Sequence, residues 1–165
     1  MRLALIAVSA IALTTAAGVA AVPAPPVVQR ASEATASRAL VLPAPKPGHS
    51  RPLVVVVADQ AGAETTDFII PFGVLEDSGV ADVRTLSTAP GPVQLMRAVK
   101  VRADSTTAAF DAASPEGADV VIVPAQVDPD SPVLTAWLKR QAAKGATVVS
   151  ICEGARALGA APLPR

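Results

Sequence analysis

The sequence has no tyrosine, one tryptophan, three phenylalanines, one histidine and one cysteine in 165 residues. Each scarcity excludes something. A single cysteine cannot close an internal disulfide, and no zinc-type Cys/His spacing is present, so neither device is expected to hold the fold. The 14 basic and 14 acidic side chains cancel at pH 7, and the basic ones are scattered. A nucleic-acid surface needs a concentrated basic patch, often with aromatic platforms beside it. Neither exists here, so no nucleic-acid partner is expected, and nothing in the composition asks for a metal or an organic cofactor.

Charge is missing altogether from residues 3–22, LALIAVSAIALTTAAGVAAV, which follow Arg2. A short basic start before an apolar run is the pattern of a secretory signal, and the small residues at Ala17–Ala21 suit cleavage. The run is also about as long as the roughly 20 residues a membrane-spanning helix needs. Cleaved signal or retained anchor, the remainder is expected outside the cytoplasm (periplasmic, extracytoplasmic or secreted). Residues 23–51 are rich in Pro, Ala and Ser without lasting periodicity and read as a linker. His49 falls here and is expected to be solvated rather than a catalytic base.

From Pro52 onward strand-like and helix-like patterns alternate. Leu53–Ala58, LVVVVA, and Ala118–Val123, ADVVIV, are continuous apolar runs of the kind found in parallel strands buried on both faces. Thr147–Ile151, TVVSI, reads as a third. Val83–Leu86 is a shorter strand, residues 92–103 a β excursion, and residues 106–113 a short helix. Residues 66–78 form a helix with Phe68, Phe72 and Leu75 on one stripe, stopped by Gly79. Pro71 should kink it or mark its first turn. Asp130, Ser131 and Pro132 supply N-cap chemistry for a helix reaching about Lys144, with Leu134, Trp137 and Leu138 facing inward. Such alternation predicts an α/β domain over residues 52–165 with a mostly parallel central sheet and right-handed crossovers. Ligands bind beyond the carboxyl ends of such strands, which directs attention to the residues after Ala58, Val123 and Ile151.

The third of these carries VVSICEGARAL. Cys152 leaves the strand directly and a helix follows, the mechanical arrangement of a nucleophile elbow. The turn is strained, so the small Gly154 helps. Amides at the helix start favour thiolate and can stabilise an oxyanion. A buried, inert cysteine at a strand end is the competing reading.

VVSICEGARAL, preceded by ADVVIVPA and by LVVVVADQAGAETTDFIIPFGVL, resembles the PfpI and DJ-1 family of the class I glutamine amidotransferase-like superfamily, over about residues 52–161. The resemblance implies a flavodoxin-like three-layer sandwich and a cysteine nucleophile. It covers peptidases, glyoxalase or deglycase-type enzymes, isonitrile hydratases and sensor domains of transcription regulators. It further implies an acidic side chain from the first helix near the cysteine. The matching position in GAETTDFIIP is Asp67, with Glu64 as the fallback. A carboxyl group beside a thiolate can share its proton, although Asp67 also suits a helix N-terminus and Glu64 a solvated loop. Relatives often place glycines after the second buried strand, where amides build an oxyanion hole. Here Pro124 has no amide hydrogen, Ala125 stands at the glycine position, and Gln126 follows. Glu153 offers an elbow amide, with its own side chain expected in solvent.

Many relatives carry a histidine farther past the cysteine than this sequence runs, so none can be carried over. They also continue the elbow helix where this sequence reads LGAAPLPR, and Pro162 and Pro164 cannot extend a helix. The expectation is a fold incomplete at its C-terminus, as from a truncated or frameshifted reading frame. Uncovered sheet edge and helix face would follow, which a homodimer would partly cover. The leading reading is a cysteine-dependent domain that acts on or senses a small electrophile by hydrolase or lyase-type chemistry. The alternatives are a non-catalytic domain binding a small molecule or partner, and an inactive truncated product.

Overall fold

The computed structural model describes residues 41–163 apart from residue 97. The charge-free run at 3–22 and most of the linker lie outside the described residues. No helix among those described is long and apolar enough to cross a membrane.

Five strands form one parallel sheet in the order β5-β2-β1-β6-β7. They are β1 (Leu53–Ala58), β2 (Asp82–Ser87), β5 (Ser105–Thr106), β6 (Val120–Val123) and β7 (Thr147–Ser150). The excursion expected at 92–103 is a small antiparallel pair, β3 (Val93–Gln94) with β4 (Lys100–Val101). The helices are α1 (Thr65–Ser78), α2 (Thr107–Ala113), α3 (Pro132–Ala143) and α4 (Gly154–Ala160). This is the α/β sandwich that the alternation predicts, of the flavodoxin type that the family resemblance implies.

β1 lies at the centre as the longest run apolar at every position, and all six of its residues are buried. Period-two alternation sends Leu53, Val55 and Val57 to one face and Val54, Val56 and Ala58 to the other. The first set packs under α2, α3 and α4 through Phe110, Leu134, Trp137, Leu138 and Ala157. The second packs under α1 and the β3–β4 pair through Phe68, Val93 and Leu95, with Phe72 and Leu75 at the margin. At about 1.5–3 kcal/mol for each large apolar side chain removed from water, the two clusters dominate the stability.

Helix ends follow local chemistry. Ser131 caps α3, with Pro132 in its first turn. Gly79 ends α1 in the left-handed conformation, φ 64°, which costs glycine nothing. Pro71 does not mark the first turn. It lies inside α1, where its missing N–H leaves the Asp67 carbonyl without a helical donor.

Two expectations are revised. β7 is not a buried strand: it is the edge of the sheet, half-exposed, with Val149 facing solvent. An apolar run of this length cannot reveal whether a neighbour covers its far side. His49 is not a solvated linker residue either. Residues 41–51 belong to the same compact unit as the sheet. His49 Nδ1 lies 3.0 Å from Asp119 Oδ2, and that carboxylate also accepts from Leu53 N–H (2.7 Å) and Lys46 N–H (2.9 Å).

Burial pushes the Asp119 carboxyl up, but the hydrogen bonds from Leu53, His49 and Lys46 outweigh it and hold the group below the usual carboxylate range. The stabilisation from a depressed carboxyl is present above its unfolded value, about 3.9, and is lost as pH falls through the folded value. Asp119→Asn should therefore cost about 1–3 kcal/mol at pH 7, since buried donors lose their charged acceptor. Urea melts at pH 7 and again below pH 3.5 should show the gap closing in acid.

Candidate functional site

The sheet reverses its winding between β1 and β6. From β1 the chain builds outward through β2 to β5, then crosses to β6 and continues to β7. The crevice beyond the carboxyl ends of β1 and β6 is thus the switch point where ligands bind in open α/β sheets. Four segments meet around it: residues 59–60 after β1, the start of α1, residues 124–126 after β6, and the turn after β7.

Cys152 occupies that last turn with φ 54°, and among the described residues no other non-glycine has positive φ. An L-residue in the left-handed region costs roughly 1–2 kcal/mol, so the surrounding structure must enforce it. Ile151 N–H bonds the Val123 carbonyl (3.0 Å), and Gly154 N–H turns back to the Ile151 carbonyl (2.9 Å). Gly154 then seats the start of α4 against the end of β6, where a Cβ would stand 2.1 Å from Val123 O. Gly154 therefore serves close approach, and the strained residue is the cysteine itself. Cys152 is exposed, which removes the reading of an inert buried thiol.

Glu64 is the N-cap of α1. Its carboxylate accepts from the Thr66 hydroxyl (2.6 Å) and Asp67 N–H (2.7 Å), and the Thr66 hydrogen bond followed by the Asp67 one holds its carboxyl below the ordinary value. That leaves the capping duty to Glu64 and frees the side chain of Asp67. Asp67 Oδ2 accepts from Ala125 N–H at 3.3 Å. Glu64 N–H in turn donates to the Ala125 carbonyl (2.8 Å), so α1 holds residue 125 from both sides.

Gln126 is buried, and its side chain joins strand ends. Its Oε1 accepts from Asp59 N–H (2.8 Å), and its Nε2 donates to the carbonyls of Pro124 (2.9 Å) and Val57 (3.2 Å). The Glu153 side chain is exposed, 3.9 Å from Arg156. Asp67 and Ala125 are thus brought into contact, Cys152 and Glu153 lie on the neighbouring turn, and Glu64 is occupied as a cap.

The one histidine is at the wrong end. His49 is tied to Asp119, just before β6 begins, whereas Cys152 follows the end of the parallel β7. It cannot serve the thiol as a base.

Sequence reasoning missed a buried polar cluster behind the crevice. Asp59 Oδ2 accepts from Ser131 Oγ (2.6 Å) and Thr88 Oγ1 (3.0 Å), and Asp59 Oδ1 accepts from Ala61 N–H (2.8 Å). The available signal was a carboxylate directly after the most buried strand, where it needs several donors.

The sequence pattern of the DJ-1/PfpI family matches residues 53–164. This chain belongs to the DJ-1/PfpI family. Solved structures agree. A cysteine-to-alanine mutant of a DJ-1 superfamily protein from Salmonella typhimurium is 27% identical, with TM-score 0.59 over 68% of this chain and 62% of its own. An oxidised DJ-1 from Toxoplasma gondii is 27% identical, with TM-score 0.55 over 66% and 60%. A two-domain protein from Anabaena variabilis with DJ-1/ThiJ/PfpI-like and ferritin-like domains is 26% identical, with TM-score 0.57 over 70% and 33%. The present DJ-1/PfpI domain thus spans less than two thirds of each of those chains. No curated protein matches it.

A cavity of about 320 Å³ is away from the elbow, between α1 and β2, and is lined by Phe72, Glu76, Arg84 and Asp104 among others. The elbow face is open by contrast, with the thiol reachable from solvent.

Proposed function

We propose that this DJ-1/PfpI domain engages a small electrophilic molecule at the carboxyl edge of its sheet, with the Cys152 sulfur as the nucleophile. The observation that carries this reading is an exposed cysteine forced into a left-handed turn, a conformation with a cost and no packing benefit. In the proposed chemistry the thiolate adds to a polarised carbon, such as that of an aldehyde or amide. The electron pair moves onto the attached oxygen, and the amides of Glu153 and the 124–126 loop receive the negative charge. Proton transfer does not fall to His49, which is at the opposite end of the strands, and the exposed thiol leaves it to solvent.

The test is alkylation by chloroacetamide, followed by mass spectrometry. The folded domain should be labelled at Cys152 several-fold faster than the same chain in denaturant, and Cys152→Ser should take up no label. Equal rates folded and unfolded would leave the elbow as architecture and favour the alternative, a non-catalytic binding domain.

Two further features belong to this proposal. Export rests on the charge-free run at 3–22. A homodimer is supported by exposed apolar side chains on α1 and in the connection between β3 and β4, among them Ile70, Val74 and Met96, and by the open edge at β7.

A further inference from the structure

Three groups at the crevice are candidates to hold negative charge on an oxygen: the amides of Ala125, Gln126 and Glu153. They are not equivalent. Pro124 has no N–H to offer. Among the described residues, Gln126 N–H and Glu153 N–H have no acceptor, while Ala125 N–H is taken by Asp67 Oδ2 at 3.3 Å. Ala125 is 5% exposed, so water competes poorly for that hydrogen bond. A carboxylate on a backbone amide is a charge-assisted contact, stronger than the neutral kind. Any second anion approaching the same donor must displace it and also face its charge.

We propose that Asp67 is a latch on the Ala125 amide: it withholds that donor from anionic groups, leaving charge at Cys152 to the amides of Gln126 and Glu153. The inference rests on the reading of Cys152 as the nucleophile and refines it toward uncharged electrophiles. It has Asp67 act through Ala125. The shape of the loop supports this, because the remaining fastenings of residue 125 and its neighbours are already committed. Glu64 N–H holds the Ala125 carbonyl, Val127 N–H holds the Gly62 carbonyl, and the Gln126 side chain is bonded to Asp59, Val57 and Pro124. The loop stays in place while the carboxylate alone governs the amide.

The experiment compares two alkylating agents of similar size, iodoacetamide and the anionic iodoacetate, on the folded chain and on Asp67→Asn and Asp67→Ala. In each reaction the thiolate sulfur forms a bond to the methylene carbon and iodide departs with the C–I electron pair. Both substitutions remove the charge, but asparagine keeps an oxygen able to accept from Ala125 N–H. The ratio of iodoacetate to iodoacetamide rates should therefore be at least about threefold higher in Asp67→Ala than in Asp67→Asn, the scale of one modest hydrogen bond. Hydrogen exchange supplies the second readout. The Ala125 amide should be protected in the native chain and in Asp67→Asn, and exchange about tenfold faster in Asp67→Ala. Equal rate ratios in the two variants, or an Ala125 amide that exchanges in the native chain like an unbonded loop amide, would overturn the latch. Should Asp67→Ala fail to fold, native-chain exchange decides the matter alone. A Cys152 that reacts no faster folded than unfolded would defeat the nucleophile reading, and the exchange result would still show separately whether Asp67 holds the amide.

Discussion

Gly154→Ala is expected to unfold the domain or to destabilise it by roughly 3 kcal/mol or more, the range of severe overpacking. The substituted methyl group would stand 2.1 Å from the Val123 carbonyl oxygen and 2.8 Å from that of Pro124. Both are backbone atoms, so no side chain can swing aside. Val123 ends a fully buried strand and its oxygen already accepts from Ile151 N–H, which ties the clash to the sheet itself. Helix propensity works the other way, since alanine is favoured over glycine in a helix by about 0.5–1 kcal/mol. Gly159, in the same helix, isolates that term because nothing lies within 4 Å of its would-be Cβ. Gly159→Ala should be neutral or slightly stabilising. Urea denaturation of the two variants side by side is the measurement. Similar midpoints would show that α4 is not seated on β6 as described.

The second large effect is at Trp137. Its side chain is fully buried, its ring meets the edge of Phe110 at a centroid distance of 6.1 Å and 72°, and its Nε1 donates to Asp111 Oδ1 at 3.1 Å. Trp137→Ala removes the largest side chain of the cluster under α3 and should cost about 3–5 kcal/mol from lost burial and the cavity left behind. The polar part is the smaller share. Asp111 keeps Gln141 Nε2 at 2.8 Å and Arg140 as donors, so it is not stranded. Trp137→Phe, which keeps an aromatic ring and drops the donor, should therefore lose clearly less than Trp137→Ala. A loss as large for phenylalanine would mean that the hydrogen bond, and not the packing, holds α3 on the sheet.

Both results bear on the site. Trp137 and Leu134 press α3 onto β1 and β6, and Gly154 presses α4 onto the end of β6. The seating of Gly154 on β6, with Ile151 bonded to Val123, is what holds Cys152 at φ 54°. Strain at the cysteine is thus supported by packing on the face of the sheet under α3 and α4, while α1 on the other face delivers Asp67 and Glu64.

Much of this was legible in local pattern. The runs LVVVVA and ADVVIV are β1 and the segment containing β6, Gly79 ends α1, and Ser131–Pro132 opens α3. The elbow was visible too, since a cysteine between an apolar strand and a small-residue helix has few other geometries. Where reading failed, the deciding partner was distant. β7 reads as a buried strand, but among the described residues no strand pairs with its outer edge. His49 sits among prolines and glycine, yet its partner Asp119 is 70 residues on. Asp67 and Glu64 are one helical turn apart, and which of them caps α1 is settled by their side-chain geometry, not their spacing.

Sequence alone determined the strand and helix order, the burial of the two most apolar strands, and the elbow carrying Cys152. These depend on neighbours within a few residues, where sterics and periodicity act directly. Only the tertiary structure decided that β7 is an edge, that His49 belongs to the far end of the sheet, and that Asp67 spends its carboxylate on Ala125. Each is a contact between segments that chain folding must first bring together, and no local preference encodes which donor a carboxylate will meet.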